Sequence, residues 1–330
     1  MLVNCSGQEI YLFEYMDMVN STDITSPISL LFYALELLLI FTSLLLVFLV
    51  AYLNFNDPIW HRNLQYLMGY FFLGSVPSHF ARTVFIWYEL VKDIREEACD
   101  STLVIATVIR LQYGFAIMHA AMALILERAA AFYFLMDYEK KSRVYISATI
   151  LILQIGLSAL MALYNIFDSV SFQALFIYMS ILASVSIVSF CTLWQANLHK
   201  FRRIGISARV KNYSLSKRFQ LTENIRAFQS IRNMEIGCVS MLFIVGAAGY
   251  FMVYGANTVL GVHLFEILVS CSSLILCSTI LLSSKRWREF VRMRIQRGSV
   301  SMEVKKISAN EGEVYFDQLN RDWNKRPATS

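Results

Sequence analysis

Seven stretches of this chain are each long and apolar enough to cross a lipid bilayer, and that leaves little choice of fold. A hydrocarbon core of about 30 Å takes roughly 20 apolar residues in helix to cross. Runs of that kind lie at 28–53, 64–90, 101–126, 144–166, 172–198, 234–256 and 261–283. The first and last are unambiguous, whereas the second and third each carry an arginine inside the run. Composition agrees: hydrophobic residues make up 57% and charged residues 16%, with a mean hydropathy of +0.51. Such a chain has too little polar surface for a water-exposed globule. The expected fold is all-α, an integral membrane bundle of seven transmembrane helices.

Orientation follows from lysine and arginine, which accumulate on the cytosolic side of short loops. If the spans alternate, the segments 54–63, 127–143, 199–233 and everything after 284 share one side, which carries 25 of these residues. The opposite side carries two, Lys92 and Arg95, and the remaining pair, Arg82 and Arg110, lies inside spans. The basic side is expected to be cytosolic, which puts the N-terminus outside. Residues 1–27 contain no lysine or arginine and no apolar run of the signal-peptide kind, so the first span is expected to act as an uncleaved signal.

Two glycosylation sequons, at Asn4 and Asn20, fall in this outer segment. A third, at Asn212, falls on the cytosolic side and is discounted. Of six cysteines, Cys191, Cys238, Cys271 and Cys277 lie in spans and read as small apolar packers. Only Cys5 and Cys99 face the oxidising side, as a bridged pair or as free thiols.

A charge inside a span is costly unless it faces the bundle interior and finds a partner. Glu36, Arg82, Arg110 and Glu266 are four such groups, the first three roughly 12–14 Å below the outer surface at about 1.5 Å per residue. His79 is one helical turn from Arg82, and Pro77 stands beside them. Two readings are open. The pairs Arg82–Glu36 and Arg110–Glu266 hold the bundle together, or the same groups with Tyr113 line an outward pocket where a small ligand meets two guanidiniums. His119, Gln112 and Gln154 belong to a deeper layer, where lone polar side chains more often bond a neighbouring helix.

The cytosolic side carries two denser features. Glu127-Arg128 ends the third span and is followed by Asp137-Tyr138-Glu139-Lys140-Lys141. Between the fifth and sixth spans, Leu221, Ile225, Phe228 and Ile231 recur at near-helical spacing within 213–232, predicting a helix that extends span six with one apolar face. The alternative is a helix lying on the bilayer. After span seven, residues 284–297 put Trp287, Phe290, Val291 and Ile295 on one side and six basic residues on the rest. That pattern predicts an in-plane amphipathic helix drawn to anionic lipid. The tail 298–330 is polar and aperiodic, and is expected to be disordered.

Glu127-Arg128 with 137–141, together with Ser214-Leu-Ser-Lys-Arg-Phe-Gln-Leu-Thr-Glu-Asn-Ile-Arg226, resembles the nematode serpentine receptor class epsilon (Sre) family. The likeness covers roughly residues 25–297, and length and span layout agree with it. It implies a GPCR-like chemoreceptor of the plasma membrane of sensory neurons and their cilia, which detects a small-molecule odorant or pheromone and signals to a heterotrimeric G protein. By that likeness Arg128 contacts the G protein and Glu127 restrains it at rest, with Arg218, Phe219, Asn224 and Arg226 in the coupling segment. Span seven has no Asn-Pro-x-x-Tyr and span six no proline, so rhodopsin-like activation movements are not carried over.

Other classes fare worse. A retinal protein needs a lysine in span seven, and no span contains one. A transporter would show inverted repeats or paired broken helices, and an intramembrane enzyme a Ser/His, paired-Asp or clustered-His site. Neither pattern is visible. A ligand-gated channel stays as the alternative, since membrane arginines can line pores. No cofactor, metal or nucleic-acid partner is expected.

Overall fold

A computed structural model describes residues 2–5, 8–11, 27–56, 60–91, 100–134, 144–168, 172–207, 215–254 and 258–296. The chain divides into two units, Met1–Ser284 and Lys285–Ser330. The first opens with strands β1 (Leu2–Cys5) and β2 (Gln8–Tyr11), an antiparallel hairpin in the register Leu2↔Tyr11 to Cys5↔Gln8. The all-α reading contained no strand. A four-residue strand in an acidic, polar segment leaves too short a period to stand out.

Among the described residues of this unit, eight helices follow. They are α1 (Pro27–Asn56), α2 (Arg62–Leu73), α3 (Ser75–Val91), α4 (Ser101–Tyr133), α5 (Val144–Asp168), α6 (Phe172–Ser207), α7 (Leu215–Tyr254) and α8 (Thr258–Ser283). Pro27 occupies the first helical position of α1, where its missing N–H costs nothing. Asp100 caps α4, its carboxylate accepting from Thr102 N at 2.9 Å. Hydroxyls within the apolar runs are satisfied by their own helix, as when Thr42 Oγ1 donates to the Leu38 carbonyl at 3.0 Å and Thr192 Oγ1 to that of Val188 at 2.8 Å.

Burial runs opposite to that of a water-soluble protein. Leu31, Leu38, Phe41, Ile152, Leu153 and Val188 are among the exposed large side chains, while Glu36, Ser43, Asn54, Arg82, Ser158, Asn197 and Glu266 are buried. That is the arrangement for which lipid, and not water, is the outer solvent. α4 is the central helix: 61% of its apolar window is buried, against 22% for α5 and for α6. It packs against α2, α3, α5, α6 and α7, whereas α8 packs against α1 and α7.

Six helices among the described residues are individually long and apolar enough to cross a membrane: α1, α4, α5, α6, α7 and α8. The second expected span is instead the succession α2–α3, broken at Gly74. Pro77 explains the break. It has no N–H to offer the Leu73 carbonyl and its ring crowds that carbonyl. Gly74 stays near helical geometry (φ −62°, ψ −23°) and donates to the Tyr70 carbonyl at 2.8 Å, while Ser75 Oγ donates to that of Phe72 at 2.7 Å. The turn is tight: a Cβ at Gly74 would sit 2.8 Å from the Tyr70 oxygen and 3.5 Å from the Tyr113 ring. At its other end α2 is tied to α1 by reciprocal amides, Asn54 Nδ2 donating to the Gln65 carbonyl at 3.0 Å and Gln65 Nε2 to that of Asn54 at 2.8 Å.

α7 begins at Leu215 and runs unbroken to Tyr254, so segment 215–232 and the sixth span share one helix. Phe228 and Ile231 are buried, and Phe228 meets Phe190 and Trp194 of α6 at ring-centroid distances of 5.5 and 6.0 Å. This stretch of the apolar stripe therefore faces α6 and not the bilayer surface. The second unit begins with α9 (Lys285–Gln296), whose Lys285 Nζ lies 3.8 Å from Glu289 Oε1 one turn on.

Overpacking the α2–α3 joint should be felt at once. Gly74→Val is expected to destabilise the detergent-solubilised protein by about 1–3 kcal/mol, read as a lower thermal midpoint. Ala at Pro77, which returns a donor to the Leu73 carbonyl, should not lower it.

Candidate functional site

Five buried charges, Glu36, Arg82, Glu89, Arg110 and Glu266, converge near one end of the bundle, the end that holds the N-termini of α1 and α8 and the C-terminus of α3. Arg82, fully buried on α3, is the hub. Its Nε donates to Glu36 Oε1 at 2.6 Å and its Nη2 to Glu36 Oε2 at 3.0 Å, a two-pronged bond to α1. Its Nη1 donates to Glu89 Oε1 at 3.4 Å on its own helix, and its Nε lies 3.3 Å from Glu266 Oε2 on α8. The same Glu266 oxygen accepts from Arg110 Nη2 of α4. Four helices thus share one network of three carboxylates and two guanidiniums.

Three of these groups stand on parallel steps. Seven residues further into the membrane from Glu36 is Ser43, seven from Glu266 is Ser273, and one turn from Arg82 is His79. Seven residues make about two turns of helix, so these three meet in turn. Ser43 Oγ, His79 Nε2 and Ser273 Oγ lie mutually within 2.5 to 3.0 Å. The triangle joins α1, α3 and α8 again, one layer deeper. His79 is thereby tied to two serines beneath the arginines. Tyr113 packs its ring at Gly74, in the α2–α3 joint.

Glu89 escaped sequence reading because it stands at the last turn of the expected span, where an acid passes for an interfacial charge. The available signal was its spacing, seven residues from Arg82 and hence on the same face. On the opposite flank of α4, His119 Nε2 meets Tyr178 Oη at 2.6 Å, and Gln154 Nε2 donates to the Ala116 carbonyl at 2.9 Å. These are bonds between neighbouring helices.

At the far end of α4, Glu127 and Arg128 form a fork: Arg128 Nε donates to Glu127 Oε2 at 2.5 Å and Nη2 to Glu127 Oε1 at 2.7 Å. Both are buried. Consecutive helical residues do not normally face each other, so the fork is a folded-back arrangement of two neighbours on one helix. His61, half-buried ahead of α2, lies within electrostatic reach of both. Its imidazole is pushed below the ordinary 6.5, first by burial and then by the Arg128 guanidinium, with Glu127 opposing. Arg218, Phe219, Asn224 and Arg226 lie on α7, but their side chains fall outside the described residues. Asn4 and Cys5 lie on β1 with side chains likewise outside them, and Asn20 and Cys99 are outside altogether, so the glycosylation sites and the bridge stay expectations.

Removing the hub should strand its partners. Arg82→Met leaves three buried carboxylates facing Arg110 alone and is expected to cost about 3–5 kcal/mol. Adding Glu36→Met should recover part of that loss, read by thermal unfolding of the purified protein. For His61 the sign is set by its lowered value: the folded protein keeps the ring neutral while the unfolded chain protonates near 6.5. Its contribution is full above that pH and declines as the pH falls toward the lowered value. His61→Gln should therefore flatten the acid side of a plot of thermal midpoint against pH.

Comparison with known proteins gives this architecture its relatives. A family profile described as Sre G protein-coupled chemoreceptor matches residues 4–324. Serpentine receptor class epsilon-38 of Caenorhabditis elegans is 24% identical over 245 residues, covering 68% of this chain and 67% of that protein. Class epsilon-45 of the same organism is 24% identical over 337 residues, covering 88% and 90%. Class epsilon-1 is 25% identical over 324 residues, with the same coverage.

Proposed function

The chain belongs to the Sre family of G protein-coupled chemoreceptors, and from that premise we propose that it detects a small-molecule odorant or pheromone at the Arg82-centred cluster and signals to a heterotrimeric G protein at the opposite end of the bundle. It is a multi-pass membrane protein, and its family is one of chemoreceptors. The finer reading places it in the plasma membrane of sensory cilia, N-terminus outside. The observation that carries this reading is α4. One unbroken helix holds Arg110 in the charged cluster and Glu127-Arg128 seventeen residues further on, roughly 25 Å away at 1.5 Å per residue.

In this reading Glu36, Arg82, Arg110 and Glu266 form the ligand end, His79 supports them from beneath, and Tyr113 transmits to the α2–α3 joint. Glu127 restrains Arg128 until the ligand acts, and the basic start of α7, with Arg218, Phe219, Asn224 and Arg226, faces the G protein. α9 lies on anionic lipid by its basic face.

The test is Arg128→Ala in cells carrying a second-messenger reporter and challenged with pooled volatile and water-soluble odorants. Pools that activate the unaltered receptor should fail on the variant, with surface delivery unchanged. Undiminished signalling would remove Arg128 from the coupling role.

A further inference from the structure

We propose that the cluster takes a small protonated amine, which sets the sign of the ligand opposite to what two membrane arginines suggest. The inference rests on the receptor reading above and names the ligand class of the same site.

The first support is charge. Three carboxylates, Glu36, Glu89 and Glu266, face two guanidiniums, Arg82 and Arg110, so the ionised network carries one excess negative charge. Burial makes that excess expensive unless a cation or a proton compensates it. The second support is unmet hydrogen bonding. Glu266 gives Oε2 to both arginines, while its Oε1 is buried without a partner, as is Oε2 of Glu89. His263, 2% exposed and one turn before Glu266 on α8, has no hydrogen-bond partner at either ring nitrogen. It lies within electrostatic reach of Arg82 and Glu36. The two carboxylate oxygens, and the one ring nitrogen that accepts in a neutral imidazole, call for N–H donors, and an ammonium brings up to three.

The third support is layering. Glu89 stands two turns nearer the helix end than Arg82, Tyr33 one turn nearer than Glu36, and His263 one turn nearer than Glu266. The His263 ring stacks on Phe32 at 5.1 Å and meets Tyr33 edge-on at 4.9 Å, and the Tyr33 hydroxyl lies beside Glu89. The layer above the arginines is thus one carboxylate among aromatic rings, and aromatic faces attract cations. The groups are closed to water, so the ligand is small and the rings shift to admit it. A coordinated metal ion is disfavoured, since no three His, Cys, Asp or Glu among the described residues are grouped to hold one.

The full chain, purified in lipid nanodiscs at pH 7.4, is titrated with three probes of one carbon skeleton: isoamylamine, isoamyl alcohol and isovalerate. Thermal midpoint and nucleotide exchange on an added G protein are read in parallel. The expected result is a concentration-dependent rise in midpoint with the amine alone. Glu89→Gln and His263→Phe should each weaken it, the former about tenfold or more. The second variant keeps a ring of similar size should the first fail to fold. Stabilisation by isovalerate or by the alcohol equal to that by the amine overturns the proposal. So does an amine response unchanged in both variants, or no response to the amine at all. A parent blind to the amine, with a Glu89→Gln variant more stable than it, would assign the excess charge to a proton and overturn the proposal. Amine binding without nucleotide exchange would leave the site standing and remove the receptor reading, and exchange driven by isovalerate would do the reverse.

Discussion

A charge that leaves water for hydrocarbon has to find its counter-charge inside the protein. That requirement organises this bundle more than any apolar contact does, because lipid tails are as apolar as leucine and give helices no hydrophobic reason to associate. Arg82 meets the requirement by gathering carboxylates from α1, α3 and α8, and Glu266 passes the connection to Arg110 on α4. Where these helices sit and how they are rotated follow from that single hub. The serine–histidine triangle below repeats the linkage among α1, α3 and α8 with neutral groups, so their register is set at two depths.

The remaining helices are held by softer means. α5 and α6 expose most of their apolar length, and α6 engages α7 through the rings of Phe190, Trp194 and Phe228. The two halves of the bundle thus differ in kind. Near α1, α3 and α8 it is fixed by buried ion pairs, and near α6 and α7 by ring packing with neutral hydrogen bonds such as His119–Tyr178. α4 belongs to both, with Arg110 in the first and its far end carrying the Glu127–Arg128 fork.

Much of this was legible in the sequence, for reasons that differ by residue. The spans announce themselves by hydropathy, since crossing a bilayer imposes length and apolarity together. Glu36, Arg82, Arg110 and Glu266 stand out because a charge in such a run is rare. Glu89 does not stand out, because near a helix end an acid is common, and yet it decides the sign of the cluster. His263 and the serines 43 and 273 are ordinary residues for a span, and only the packing of three helices brings them together. The β1–β2 hairpin is too short to leave a periodic trace, and the α2–α3 break needs the local geometry of Gly74 and Ser75 as well as the proline.

That break bears on the parity of the whole chain. Judged by the length of unbroken helix, α2 and α3 each fall short of a crossing, and the count comes to six. An even number would return the chain after α8 to the face from which it entered α1. Taken together across Gly74, the two stubs restore an odd number, so the chain enters the membrane on one face and leaves it on the other. A proline that offers no N–H to the Leu73 carbonyl, together with the local geometry of Gly74 and Ser75, makes the sidedness of every loop after α3 look reversed to a reading based on helix length alone.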